Sequence, residues 1–331
     1  MASNAATTTS GMLALRLAGS VVLGAAPEPV AGPGEAVVQV LLAGICGTDL
    51  ALARGYADFH GTLGHEFVGR VEHCDEASWV GRRVVAEINV YCGRCEYCAS
   101  GLRQHCSARA VLGIRSRDGC FAERVVVPIA NLHLVPDGLP DSCAVFTEPV
   151  AAALQILAQV PLARGDAVAV LGDGKLGLLI AMGLIRHGCD VTVVGRHARK
   201  LSIAQSLGAR TADPLGLPPR GFSWVIEASG SASGLALAIG LVRPRGTLVL
   251  KSTLHGATPL ALNPVVVDEL TIVGSRCGAF APALAALADG SIDPRVLIDH
   301  VVPLEQAEQG FALARTPGVL KVLLDMRCRS P

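Results

Sequence analysis

The chain has 331 residues, more than one ordinary domain needs, so two domains sharing a cleft are expected. Hydrophobic residues make up 51% and charged residues 17%, which suits a large buried core and excludes a disordered polymer. Lys+Arg and Asp+Glu balance at 28 each, so no net charge draws the chain to nucleic acid or an anionic membrane, and neither partner is expected.

Met1 to Gly11 is small and hydroxylated and reads as a disordered tail, not as a secretory leader. The first third then reads as β. Leu13–Leu17 alternates, Val21–Leu23 follows a Gly-Ser turn, and Val37–Leu42 delivers Gly44-Ile45-Cys46 at its end. Short strands continue through Phe67–Val71, Arg83–Val85 and Glu123–Val127, a pattern for a compact, mostly β domain. After about Pro140 the pattern changes. Val145–Leu157 has helical spacing, and strands follow at Ala167–Leu171, Val191–Val194, Trp224–Glu227, Thr247–Leu250 and Leu270–Val273. Strand–helix alternation of this kind predicts an α/β doubly wound parallel sheet. From Gly278 the chain turns helical again and ends in an apolar strand, Gly318–Leu324. The Ala/Leu-rich stretches are broken by Gly, Pro and charges, so none reads as a membrane span.

Eleven cysteines in a chain with no leader point to reduced thiols, a cytoplasmic setting and metal binding. Cys92-x-x-Cys95-x-x-Cys98 followed by Cys106 is a spacing at which four thiolates converge on one Zn²⁺. Such a closed site is structural, because no position is left for water. The bland alternative is four inert buried cysteines. Gly44-Ile45-Cys46-Gly47-Thr48-Asp49 and the later Gly64-His65-Glu66 offer a thiolate and an imidazole from two turns. Either piece alone is weak; together, with a carboxylate completing the set, they suggest a second zinc.

The third motif is Leu171-Gly172-Asp173-Gly174-Lys175-Leu176-Gly177, which follows an apolar strand and opens a Leu/Ile-rich helix. That context fits a dinucleotide-binding turn. Gly172 permits the tight turn, Gly174 lets amides approach a pyrophosphate, and Gly177 lets helix and strand pack closely. With Lys175 and Leu176 at the helix start, these are the cofactor-binding candidates. An acidic residue about twenty positions further on holds the ribose of NAD in such units. Here the second strand ends in Gly195-Arg196-His197-Ala198-Arg199-Lys200, and Asp190 lies at its opposite end. Gly195 leaves room for a 2′-phosphate, Arg196 offers a planar fork, and Lys200 or Arg199 adds charge, so NADP is expected over NAD.

With these three motifs in this order, the chain resembles the zinc-containing medium-chain dehydrogenase/reductase superfamily, nearest its alcohol and polyol dehydrogenase branch. GICGTDL, GTLGHEFVG, the four-cysteine lobe, LGDGKLG and a late GSRCG carry the resemblance. It implies a GroES-like catalytic domain from residues 1–145 and 275–331, with a Rossmann domain over 146–274 between them. It implies hydride transfer between an alcohol, or its aldehyde or ketone, and NAD(P), with two zinc ions per chain. Cys46 and His65 correspond to catalytic-zinc ligands, and Glu66 to an acidic neighbour able to bind the ion when substrate leaves. Glu148 stands where many relatives carry a cysteine ligand and polyol dehydrogenases a glutamate, able to bind zinc directly or through water, and Thr48 stands where a hydroxyl touches the substrate oxygen. Ile88 and Asn89 fall where the family places pocket residues. One departure is Ala51, where alcohol dehydrogenases often carry a histidine of the proton relay. A homodimer or homotetramer is expected. Two rivals keep the fold: a cofactor-binding protein without activity, and a zinc-independent enoyl or quinone reductase. The intact Cys46, His65, Glu66 and Glu148 set argues against the first, and both zinc sets against the second.

Overall fold

The computed structural model describes residues 11–253 and 258–327. The tail read over the N-terminus therefore lies, Gly11 apart, outside the described residues. The chain divides into two units, Met1–Val145 with Asp299–Pro331, and Phe146–Ile298.

The first unit is built on a mixed-length β-sheet around the strand Glu35–Gly44, which is buried on both faces over most of its length. Phe67–Cys74 pairs antiparallel along one edge of it, and Arg124–Pro128 pairs along the start of the other. The end of that second edge is taken by Lys321–Asp325, with Leu323 opposite Gly44, so both chain ends contribute to one sheet. Leu132–Leu134 and Arg83–Ala86 extend it on one side and Ile298–Pro303 on the other. A smaller sheet joins Ser20–Ala26, Met12–Ala18 and Gly61–Thr62. The final strand thus starts at Lys321, three residues later than the apolar run predicts.

The second unit is a six-stranded sheet in the order Arg210–Ala212, Asp190–Val194, Ala167–Leu171, Phe222–Glu227, Val242–Leu250, Thr271–Gly274, with every neighbouring pair parallel. The near-continuous Val/Ala/Leu runs of its central strands suit a sheet covered on both faces. Connections reverse direction beside Ala167–Leu171, the place where such sheets open a ligand crevice at their carboxyl ends. The helix Lys175–His187 covers one face there and ends at Gly188, whose left-handed φ of 98° lets its N–H reach the carbonyls of Leu184 and Ile185. The edge strand Arg210–Ala212 was not anticipated, because three residues with an Arg at the start carry no apolar periodicity.

The expected return to the first domain near residue 275 comes instead at Asp299. Residues 275–298 stay with the second unit because they are built into it. The helix Phe280–Ala288 packs on the helix Thr147–Gln159. A Cβ on Gly278 would lie 2.0 Å from the Ala151 carbonyl oxygen, so only glycine permits that approach. No helix among the described residues is long and apolar enough to cross a membrane.

Candidate active site

In the first unit the strand Glu35–Gly44 runs into the short helix Gly47–Leu52, with Cys46 as its N-cap residue. The Cys46 N–H donates to Asp49 Oδ2 at 2.8 Å, which fixes the turn carrying the thiol. The Gly44 N–H donates to the Glu66 carbonyl at 2.8 Å, and this brings the Gly64-His65-Glu66 turn alongside. The donor atoms of Cys46, His65 and Glu66 consequently lie within 4.8 Å of one another, with His65 and Glu66 buried. Thr48 Oγ1 stands 3.8 Å from Cys46 Sγ on the same turn.

Asp49 is fully buried, and its Oδ1 lies 3.3 Å from His65 Nδ1, an ion-pair distance at an angle short of a hydrogen bond. Burial opposes a proton on this imidazole. The Asp49 carboxylate and the Cys46 sulfur outweigh burial and hold the His65 pKa well above its ordinary value. Cys46, His65 and Glu66 bring a thiol, an imidazole and a carboxylate together in one place, and that donor set has the chemistry of a cation site. With Nδ1 directed to a carboxylate, Nε2 is the nitrogen left for a metal. One thiolate, one imidazole and a carboxylate suit zinc with an open position.

Glu66 has a partner that the sequence reading missed. Its Oε2 accepts from Lys321 Nζ, and both side chains are 1% exposed. A Cβ on Gly44 would lie 2.6 Å from Glu66 Oε2 and 2.7 Å from Lys321 Nζ, so the glycine of GICGTDL makes room for this pair. The signal was present: Lys321 is the one charge inside the apolar run from Val319 to Leu324, and a buried cation needs a partner. Ile88 and Asn89 are buried, and Asn89 Oδ1 has no hydrogen-bond partner among the described residues.

The four-cysteine lobe is brought together as its spacing predicts. Cys92, Cys95, Cys98 and Cys106 present their sulfurs within 4.8 Å of one another. Cys95 Sγ lies 3.5 Å from Cys98 Sγ and 3.8 Å from Cys106 Sγ. A zinc tetrahedron with Zn–S bonds of about 2.3 Å has sulfurs about 3.8 Å apart. N–H groups of Cys98 and Ser107 directed at the Cys95 sulfur lower its thiol to about 6, while burial and the neighbouring sulfurs raise Cys98 to about 11.

In the second unit the glycine-rich turn opens onto a cleft of about 330 Å³, walled by Gly172, Gly174, Gly195, Arg196 and Lys200 among others. Lys175, Leu176 and Gly177 are not among its walls; they start the helix behind it. Gly172 has φ 119°, and a Cβ on Gly177 would lie 1.9 Å from the Gly172 carbonyl oxygen, which accounts for both glycines. A Cβ on Gly174 meets nothing within 4 Å, so the second glycine faces open space.

The end of the second strand differs from its sequence reading in two ways. A carboxylate does stand there, supplied from the glycine-rich turn: Asp173 Oδ2 accepts from the N–H groups of Arg196 and His197, each at 2.9 Å. The space at Gly195 is also filled, since a Cβ there would lie 2.4 Å from Asp173 Oδ2. Gly195 is glycine because Asp173 packs against it, not to keep a pocket open. Burial pushes the Asp173 pKa up, but the donors from His197 and Arg196 outweigh it and hold the carboxyl below its ordinary value.

Glu148 belongs to this second unit, in the first turn of the helix Thr147–Gln159. The same unit holds a second buried lysine absent from the sequence reading. Lys251 Nζ donates to the carbonyls of Ala152 at 2.6 Å and Arg276 at 2.8 Å and to Ser275 Oγ at 3.2 Å, tying the GSRCG segment to the helix that carries Glu148.

Comparison with known proteins identifies the family. Residues 32–137 match the family model of the alcohol dehydrogenase GroES-like domain, and residues 176–289 that of the zinc-binding dehydrogenases. A sorbitol dehydrogenase from Halalkalibacterium halodurans is 30% identical over 322 residues, covering 90% of this chain and 93% of that protein. A crystal structure of a zinc-binding dehydrogenase from Sinorhizobium meliloti bound to NADP superposes with TM-score 0.88 at 30% identity, over 96% of this chain and 99% of that one. A structure of an alcohol dehydrogenase from Escherichia coli complexed with NADH gives TM-score 0.86 at 29% identity, over 96% and 98%. The chain is a zinc-type, NAD(P)-dependent alcohol dehydrogenase of the medium-chain dehydrogenase/reductase superfamily, with a GroES-like and a Rossmann domain.

Proposed function

We propose that the chain binds two zinc ions, a catalytic one at Cys46 and His65 with Glu66 beside them and a structural one at Cys92, Cys95, Cys98 and Cys106, and that it transfers hydride between an alcohol or polyol, or its carbonyl form, and NADP in preference to NAD. The observation that carries this reading is the buried Cys46–His65–Glu66 cluster with the Thr48 hydroxyl on the same turn. When bound, the catalytic zinc polarises the alcohol or carbonyl oxygen and the nicotinamide carries the hydride. The chain's own groups do the rest. Thr48 orients the substrate oxygen and takes part in moving its proton. Asp49 lies against His65 Nδ1, and Lys321 pairs with Glu66 beside the two residues that would hold the ion. Ala51 offers no relay, so the proton path beyond Thr48 would run through cofactor hydroxyls, water or another side chain such as Glu66. Asn89 Oδ1, buried and without a hydrogen-bond partner among the described residues, is an acceptor for a substrate hydroxyl.

Arg196 and Lys200 on the cleft wall favour a 2′-phosphate, and Asp173 does not oppose one, because its charge is engaged by the turn it caps. Free cysteine thiols throughout the described residues favour a reducing, cytoplasmic setting. The parallel sheet ends in an edge strand, Thr271–Gly274, beside a helix with Leu262, Val266 and Val267 more than half exposed, which favours a homodimer or homotetramer. Elemental analysis tests the zinc assignment. Protein purified without chelator should hold two zinc ions per chain and Cys46→Ser one; an unchanged count in Cys46→Ser would remove the catalytic site.

A further inference from the structure

The Asp173 carboxylate has a third donor. His197 Nδ1 lies 2.9 Å from its Oδ2 and 3.0 Å from its Oδ1, so one acid gathers two backbone N–H groups and an imidazole from the Gly195–His197 turn. Asp173 itself is 6% exposed, whereas the His197 side chain is 56% exposed and lines the cleft beside Arg196 and Lys200. Holding Nδ1 on the carboxylate fixes the ring plane and leaves Nε2, across the ring, for the cleft. An anionic oxygen placed at Nε2 completes a chain in which the ring, carrying both its protons, donates to Asp173 through Nδ1 and to that oxygen through Nε2.

We propose that His197 is a specificity-determining residue for the adenosine end of the cofactor, a third cationic donor to the 2′-phosphate beside Arg196 and Lys200, and that Asp173 is its positioning residue. This rests on the NADP preference proposed above. It also explains why an acid at the strand end need not select NAD. A ribose-binding carboxylate must keep acceptor capacity for two hydroxyls, whereas Asp173 Oδ2 accepts two N–H groups and its imidazole partner spans both oxygens. The charge of Asp173 is thereby engaged within the turn, and Arg196 and Lys200 remain as the cations on the cleft wall beside the His197 ring.

Fluorescence titration of the zinc-loaded full chain with NADPH and with NADH tests this without reference to turnover. Wild type should bind NADPH more tightly. His197→Gln should weaken NADPH about tenfold, the loss of one charge-assisted hydrogen bond, with NADH unchanged, and His197→Arg should restore the preference. A His197→Gln protein that keeps its full NADPH preference, while Arg196→Ala loses it, would overturn the role of His197 and leave the NADP reading standing. Equal weakening of both cofactors in His197→Gln would assign His197 to holding the turn, and likewise overturn the proposal. A wild type that binds NADH more tightly would instead overturn the NADP reading itself.

Discussion

Lys321 and Glu66 form an ion pair with 1% exposure on each side, and neither charge has water to fall back on. Replacing one partner of such a pair leaves the other buried and uncompensated, at a cost of about 3–5 kcal/mol, whereas replacing both by neutral groups is far milder. Lys321→Met should therefore lower the urea midpoint strongly, and Lys321→Met with Glu66→Gln should recover most of it. Equal midpoints for wild type and Lys321→Met would mean that the pair does not hold Glu66. Gly195 makes a second residue-scale case. A methyl at this position would press on Asp173 at 2.4 Å, so Gly195→Ala should lose stability and cofactor binding together. Adding Asp173→Ala to it should restore folding, as measured by thermal unfolding; without that rescue, the steric account of Gly195 fails. Installing an acid at residue 195 is thus a poor way to switch the cofactor, although the sequence alone invites it.

At the scale of elements, the motifs that could be read were those whose partners are close in sequence. The four-cysteine lobe closes over fifteen residues, and the glycine-rich turn over six, so spacing alone carries their geometry. What could not be read were contacts made across the fold. Lys321 reaches a partner 255 positions away, Asp173 a turn more than twenty positions on, and Lys251 two segments on either side of it. Lys251 also leads to a pH prediction. Burial pushes its ammonium down to about 8, against the pull of Cys277 and Glu148. The folded pKa is then below the unfolded value of 10.5, so between about 8 and 10.5 the unfolded chain binds the extra proton and stability rises with pH. The difference in unfolding free energy between wild type and Lys251→Met should grow in favour of wild type across that window. A difference that stays flat, or shrinks, would show that its three acceptors keep Lys251 charged in the fold.

At the scale of the whole molecule, the two-domain order and its parallel sheet followed from the change of hydrophobic period near residue 140, because periodicity reports which faces are buried. The second boundary did not follow. Residues 275–298 are helical and apolar in sequence, and nothing in their composition says which unit they join; the close approach at Gly278 and the packing of Phe280–Ala288 decide it. The function rests on one claim above the others, that the Cys46–His65 turn pair is the centre of a zinc-dependent alcohol oxidation. The most direct test follows nicotinamide absorbance while wild type and Cys46→Ser are offered secondary alcohols and polyols with each cofactor. Wild type should reduce NADP with at least one of them, and Cys46→Ser, still folded and still holding its lobe zinc, should lose on the order of 100-fold or more in kcat. Turnover in Cys46→Ser equal to wild type would contradict the account.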